Sequence, residues 1–422
     1  MNILIIGSGG REHAICWSFR KSPKVERLFC APGNAGIAGI AECVPIQPED
    51  TEALAEFAAA NSIGLTFVGG ESPLALGIVD RFKSRGLRIM GASKKAAQIE
   101  ASKAFAKDFM KRHAVPTAEY ALAESPADAI AILESGVFGG PSSPVVVKAD
   151  GLAAGKGVVV ASDRAEAKAA IEDLEKLAGR EAASRIVLEE CLSGREVSLL
   201  MFADGEGFAL MPPTRDHKRI GEGDTGPNTG GMGTFTDDSL LSEDQLNEIT
   251  ETIIRPTLRG CIAEGFPFRG ILFLGLMMTA GGPRLLEYNV RFGDPETQSI
   301  LVRLDTDLVD ICEAMLDGKL NEIDIRWRQG SSATVVLAAE GYPQSPRKGD
   351  VISGLENAAA VPGVTVFHAG TAVDNERIVT SGGRVLGITA VADDLEAALN
   401  RSYAAVDQIS FDGMQYRRDI GG

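Results

Sequence analysis

Three short apolar runs near the N-terminus each end in a glycine-rich turn. Asn2–Ile6 precedes Gly7-Ser8-Gly9-Gly10, Arg27–Ala31 precedes Gly33-Asn34-Ala35-Gly36, and Gly64–Val68 precedes Gly69-Gly70. Helix-like segments separate these runs, and a fourth, Leu87–Met90, follows. Strand, turn and helix in that order demand right-handed crossovers and a parallel sheet covered on both faces. Open parallel sheets bind ligands at their carboxyl ends, where these glycines lie. Residues 1–103 are therefore expected to form a doubly wound domain with a ligand edge.

The chain has 422 residues, too many for one core, so several domains are expected. Its 42 basic and 58 acidic residues leave a net charge of −16, which repels nucleic acid backbones and anionic membranes. An anionic ligand must be held by local cations and backbone N–H groups. The N-terminus lacks the basic region of a signal peptide, and no apolar stretch approaches the roughly 20 residues of a membrane span. Six scattered cysteines without a Cys-x-x-Cys pair predict reduced thiols in the cytoplasm, and four scattered histidines argue against zinc.

Residues 144–161 read as two β-branched runs joined by Gly151-Leu152-Ala153-Ala154-Gly155-Lys156-Gly157. This resembles a Walker A loop, yet its glycines are one residue too close and Gly157 replaces the Ser/Thr that would hold magnesium. Strands on both sides make it a hairpin, which can close over a triphosphate with Lys148 as a point charge. An amphipathic helix follows, capped by Asp163 and Glu166 and apolar at Ala167, Ile171, Leu174 and Ala178, and then a strand, Arg185–Glu189. Beyond Arg328, strands are expected at Ser332–Ala339, Val364–Ala369 and Arg384–Val391, with a helix over Leu395–Ile409. With no chemical cluster of its own, that region reads as a packing domain.

Chemistry concentrates in three further places. Gly7 to His13 joins a strand to a helix whose free N–H groups suit a phosphate, but Glu12 occupies the third glycine position of a dinucleotide site. In Leu286 to Glu296, strand alternation puts Glu287, Asn289 and Arg291 on one face and Leu286, Tyr288, Val290 and Phe292 on the other. Glu287 and Asn289 form an oxygen platform for Mg²⁺ bridging ATP phosphates, and Arg291 could neutralise a transferring phosphoryl group. Residues 214–233 contain six glycines and little apolar surface, and are expected to be a binding loop.

These segments, with Ser102 to Phe109 and Arg291 to Gln298, closely resemble the glycinamide ribonucleotide synthetase (phosphoribosylamine–glycine ligase) family of the ATP-grasp superfamily, over essentially the whole chain. The resemblance implies an ATP-grasp domain at 104–327 with a mobile lid at 125–192, and a C-terminal β-rich domain at 328–422. It implies ligation of glycine to 5-phosphoribosylamine with ATP and Mg²⁺ or Mn²⁺, through an acyl phosphate, by a monomer. Lys103, Lys148, Gly151, Gly155, Lys156 and Gly157 then match phosphate-binding positions. Glu189, Glu190 and Leu192 match the adenine segment, Glu196 the ribose acid, and Glu287 and Asn289 the metal ligands. Gly9, Gly10, Asn34, Gly70, Glu71, Asn228, Gly230 and Glu296 match substrate positions, and Asp216, Lys218, Arg291 and Asp294 catalytic ones. Two departures, Arg215 before Asp-His-Lys and Thr234 in place of a proline, adjoin the expected active-site loop. The end at Gly422 suggests a stand-alone enzyme. Another ATP-grasp carboxylate–amine ligase would share Lys148, Glu287 and Asn289 and remains the alternative. A non-enzymatic nucleotide sensor would not need Arg291 and the metal pair together.

Overall fold

The computed structural model describes residues 1–152, 157–179 and 182–422. Strands β1 (Asn2–Gly7), β2 (Arg27–Pro32), β3 (Glu42–Cys43), β4 (Ile63–Val68) and β5 (Ile89–Met90) form the expected all-parallel sheet, in the order β3-β2-β1-β4-β5. Strand period two sends Leu4 and Ile6 into the core on one face, and Ile3 and Ile5 into the core on the other. The missing third glycine has a structural explanation. The Glu12 side chain folds back over the turn, where a Cβ on Gly7 or Gly69 would lie 2.5 or 2.2 Å from its atoms. Its carboxylate accepts the Gly9 N–H at 2.6 Å. An amide expected to be free for phosphate is thus already bound to an anion.

A small antiparallel sheet follows, built from β6 (Tyr120–Ala123), β7 (Val145–Ala149), β8 (Val158–Ala161) and β9 (Ile186–Glu190) in the order β6-β9-β7-β8. The β7–β8 hairpin is the one expected around the glycine-rich segment. The helix Arg164–Ala178 starts where predicted, with the Glu166 N–H donating to Asp163, and buries Ala167, Ile171 and Leu174 against the sheet in a core of its own.

The rest of the chain builds one large sheet. Its strands are β10 (Arg195–Asp204), β11 (Phe208–Leu210), β12 (Thr214–Asp216), β15 (Gly233–Thr236), β16 (Arg269–Thr279), β17 (Gly282–Asn289), β18 (Ser331–Ala338), β19 (Val364–His368) and β22 (Arg384–Ala392). Two hairpins stand apart, β13 (Arg219–Gly221) with β14 (Thr225–Asn228), and β20 (Thr371–Asp374) with β21 (Arg377–Thr380). The C-terminal strands do not form a separate sheet: β15 pairs with β18, so the central sheet runs on through β22 to β19. The helix Leu395–Val406 covers β18 and β22. Residues 214–233, expected to be a loop, are largely short strands. Within them β13 and β14 pair with each other, while β12 pairs with β10 and β15. Strands β12, β13 and β14 have only three or four residues each, which leaves little periodic signal.

Candidate active site

Where the small sheet meets the large one lies a cavity of about 380 Å³ whose walls come from every region of the chain. Ser102 caps the helix Lys103–Arg112, and Asp150 joins it there, accepting from the Ala104 N–H at 3.1 Å and the Ser102 hydroxyl at 3.2 Å. The base of the glycine hairpin is thereby fixed to the helix that carries Lys103 and Lys107. Lys103 Nζ donates to the Gly151 carbonyl at 2.9 Å, and burial lowers its pKa. Lys107 lies one helical turn further on the same wall. Burial brings Lys107 down to about 8 against the pull of Glu189, and the Lys148 charge adds to the fall. Glu189 stands between two ammonium groups, with Oε2 2.9 Å from Lys107 and Oε1 2.7 Å from Lys148.

The opposite wall is β17. The expected alternation breaks here, because Gly275 pairs with Glu287 while Leu276 pairs with Leu285. Leu286 is the extra residue of a β-bulge. It therefore lines the cavity beside Glu287, and its carbonyl accepts from Lys148 at 3.3 Å. Burial alone would raise the Glu287 carboxyl, but Lys218, Lys148, Lys103 and Arg291 together hold it below its ordinary range. Among the described residues no group of three or more His, Cys, Asp or Glu could hold a metal. Magnesium needs only one or two protein carboxylates when phosphates complete its shell, and the ionised Glu287 beside the Asn289 amide fits that requirement.

At the far end of the cavity carboxylates and arginines alternate. Arg291 does not point freely at the nucleotide side as expected. Its Nε lies 3.1 Å from Glu71 Oε2, and its Nη2 lies 2.9 Å from Glu100 Oε1 and 3.1 Å from Asn289 Oδ1. Burial would raise Glu71, yet Arg291 and Arg11 hold it at about 2. Asp294 is likewise lowered, burial being outweighed by Arg384 and Arg11. Arg384 donates to the carbonyls of Gly230 and Asp294, and its Nη2 lies 3.3 Å from Asp294 Oδ2. Asp216 and Glu296 behave in the opposite way. Burial raises both, and the Glu296 charge adds to the rise at Asp216, whose Oδ1 has no hydrogen-bond partner.

Of the residues singled out in the sequence, Glu71, Lys103, Lys148, Gly151, Gly157, Glu189, Asp216, Lys218, Asn228, Gly230, Glu287, Asn289, Arg291, Asp294 and Glu296 line this one cavity. Gly155 and Lys156 lie outside the described residues. Gly9, Gly10, Asn34, Gly70, Glu190, Leu192 and Glu196 are not on its wall. A Cβ on Gly9 would lie 3.2 Å from Asp294, one on Gly10 would lie 2.6 Å from Gln298, and one on Gly70 would lie 3.3 Å from Arg11, so these glycines let the first turn pack close beside the cavity. Asn34 ties the second turn to Ser8 and to the His368 carbonyl, both at 2.8 Å. Glu190 accepts the Glu119 N–H at 2.9 Å, and Glu196 pairs with Lys218 at the rim. Leu192, in the segment after β9, is half-buried. Arg215 pairs with Phe235 across β12 and β15, off the cavity wall.

Sequence reasoning missed Arg11, Glu100, Lys107 and Arg384, all of which line the cavity. Lys107 was within reach, since four residues after Lys103 is the same helix face. Arg384 overturns the expectation that the C-terminal region only packs. No local pattern marks it, or Glu100.

The sequence matches the three domains of one family over nearly its whole length: "Phosphoribosylglycinamide synthetase, N domain" over 1–100, its "ATP-grasp (A) domain" over 101–297, and its "C domain" over 332–422. The phosphoribosylamine–glycine ligase of Vibrio parahaemolyticus is 49% identical over 427 residues, which span 100% of this chain and 98% of that protein. The one from Chlorobaculum tepidum is 48% identical over 425 residues, covering 100% and 99%. Among solved structures, phosphoribosylamine–glycine ligase from Thermotoga maritima superposes with a TM-score of 0.85 at 34% identity, covering 100% of both chains. A biotin carboxylase from Campylobacter jejuni shares the fold, with a TM-score of 0.72 at 15% identity over 98% of this chain and 92% of that one. By these matches, and by the cavity that its three regions build together, the chain belongs to the phosphoribosylglycinamide synthetase family.

Proposed function

We infer that this chain joins glycine to 5-phosphoribosylamine at the expense of ATP, giving glycinamide ribonucleotide, ADP and phosphate. One observation carries the reading: buried lysines and the Glu287–Asn289 oxygen pair face each other across a cavity whose other end alternates arginines and carboxylates. The lysine side suits a triphosphate, with Lys103 and Lys148 as the charges that bind it and Glu189, with the segment to Leu192, toward the adenine. Glu287 and Asn289 would hold a divalent ion, magnesium or manganese, which supplies charge neutralisation on the phosphates.

The far end suits the amino acid and the phosphorylated amine. A glycine carboxylate oxygen attacks the γ-phosphorus, the bond to the β-phosphate oxygen breaks, and ADP departs. The phosphoribosylamine nitrogen then attacks the acyl carbon, and inorganic phosphate leaves. The attacking amine must lose a proton. Asp216 suits that task, since its carboxylate lines the cavity and its Oδ1 is unpartnered. Arg291 would stabilise charge that develops during phosphoryl transfer. No helix among the described residues is long and apolar enough to cross a membrane. A cytoplasmic monomer is part of this proposal.

Sustained ADP release over many turnovers should require both glycine and freshly prepared phosphoribosylamine, and omission of either should abolish it. ADP release supported equally by another acid or amine would reassign the substrate to another ATP-grasp ligase activity.

A further inference from the structure

Lys107 is 2% exposed and Glu189 1%, so their ion pair is among the most deeply buried in the protein. The Lys107 ammonium is anchored independently of any ligand. It donates to Thr117 Oγ1 at 2.7 Å, and that hydroxyl donates to the Leu285 carbonyl at 2.5 Å, just before the β17 bulge. Lys148, 6% exposed, has the weaker anchor outside its pair with Glu189. Its ion pair with Glu189 Oε1, at 2.7 Å, is as close as that of Lys107 at 2.9 Å, but its directed bond is the 3.3 Å one to the Leu286 carbonyl, longer than the 2.7 Å bond that anchors Lys107 to Thr117. A triphosphate entering the cavity would draw Lys148 away from Glu189. A carboxylate this deep cannot lose its only counter-ion without a large penalty. With Lys107 in place, it keeps one.

We propose that Lys107 is a positioning residue for nucleotide binding, the permanent counter-ion of Glu189 that frees Lys148 to move to a triphosphate. The proposal rests on the reading of Lys148 as a phosphate-binding lysine. Without Lys107, Glu189 and Lys148 form a closed pair, and nucleotide binding has to break it. Glu189 then competes with the ligand for the same ammonium group.

The test combines equilibrium binding of a non-hydrolysable ATP analogue with magnesium, steady-state kinetics and thermal melting. Lys107→Gln, which keeps a donor for Thr117 but no charge, should weaken analogue binding about 10–100-fold, the scale of disturbing a buried ion pair. The loss should fall on the KM for ATP and leave the KM for glycine unmoved. Lys107→Arg should recover most of the binding, because the charge returns. Adding Lys107→Gln to Glu189→Gln should cost nothing further, since no buried anion remains to retain Lys148. Should Lys107→Gln prove too unstable to assay, the Arg variant and the double variant still decide the matter. Undiminished analogue binding by Lys107→Gln, a loss confined to kcat, full additivity with Glu189→Gln, or an Arg variant as weak as the Gln variant would each overturn the proposal. Unimpaired binding by Lys148→Met would instead overturn the nucleotide reading beneath it.

Discussion

Arg291 joins two requirements that usually conflict. It must meet charge that appears only during reaction, yet it is already paired with Glu71 and Glu100. Arg291→Ala should therefore lower kcat by about 10²–10³-fold, as for the loss of one electrostatic donor in a water-excluded site. It should also destabilise the fold by about 3–5 kcal/mol, because Glu71 and Glu100 lose the buried cation between them. Urea unfolding measures the second effect, and a variant as stable as the parent would show that the clamp carries no weight. Lys should rescue only part of the rate, since a point charge cannot serve two carboxylates in fixed geometry. Glu287→Ala differs, because Glu287 answers the charge of several lysines without anchoring any packing. Its ADP release should be lost at every magnesium concentration while the melting temperature changes little. Activity regained at high magnesium would assign the metal to other groups.

At the scale of elements, the small four-stranded sheet has a core of its own and touches the rest of the site through polar links, among them Asp150 to Ser102 and Ala104, Glu189 to Lys107 and Lys148 to the Leu286 carbonyl. We expect residues 125–192 to move as a lid over the nucleotide, so that tryptic cleavage within them slows when the ATP analogue and magnesium are bound. Unchanged cleavage rates would indicate a rigid arrangement. Asp150 is the link that holds the hairpin base to the helix of Lys103. Asp150→Ala removes two hydrogen bonds to a charged group, each worth about 1.5–3 kcal/mol, while Ser102 still caps the helix through the Phe105 N–H. The KM for ATP should rise at least about tenfold. An unaltered KM would mean that the hairpin finds its place without the anchor.

Across the whole molecule, the first glycine turns are fastened to the C-terminal strands by His13, which accepts the His368 N–H at 2.8 Å on Nδ1. Burial, reinforced by His368, holds His13 down at about 3. A folded-state pKa below the unfolded value of about 6.5 means that the unfolded chain binds the extra proton, so stability falls as pH drops below 6.5. For His13 alone the loss amounts to about 2 kcal/mol between pH 7 and 5. The raised carboxyls of Asp216, Glu296 and Glu100 act in the opposite sense, so the test must be differential. His13→Asn, which keeps an acceptor, should lose less stability than the parent over that range. Parallel losses in both proteins would mean that His13 does not titrate on unfolding. Much of this architecture was legible beforehand. Period-two apolar runs and glycine turns mark the parallel sheet, and the spacing of Glu287 and Asn289 marks the oxygen platform, because such patterns depend only on residues a few positions apart. What only the tertiary structure decided is which charges meet. Arg11 donates to the Phe292 carbonyl across 281 positions, and Arg384 reaches Asp294 from a strand that shows no chemical pattern. The bulge at Leu286 was equally hidden, because register belongs to a pair of strands and not to either one. Local periodicity records which face a side chain takes, whereas the partner it finds there is chosen by how separate elements pack.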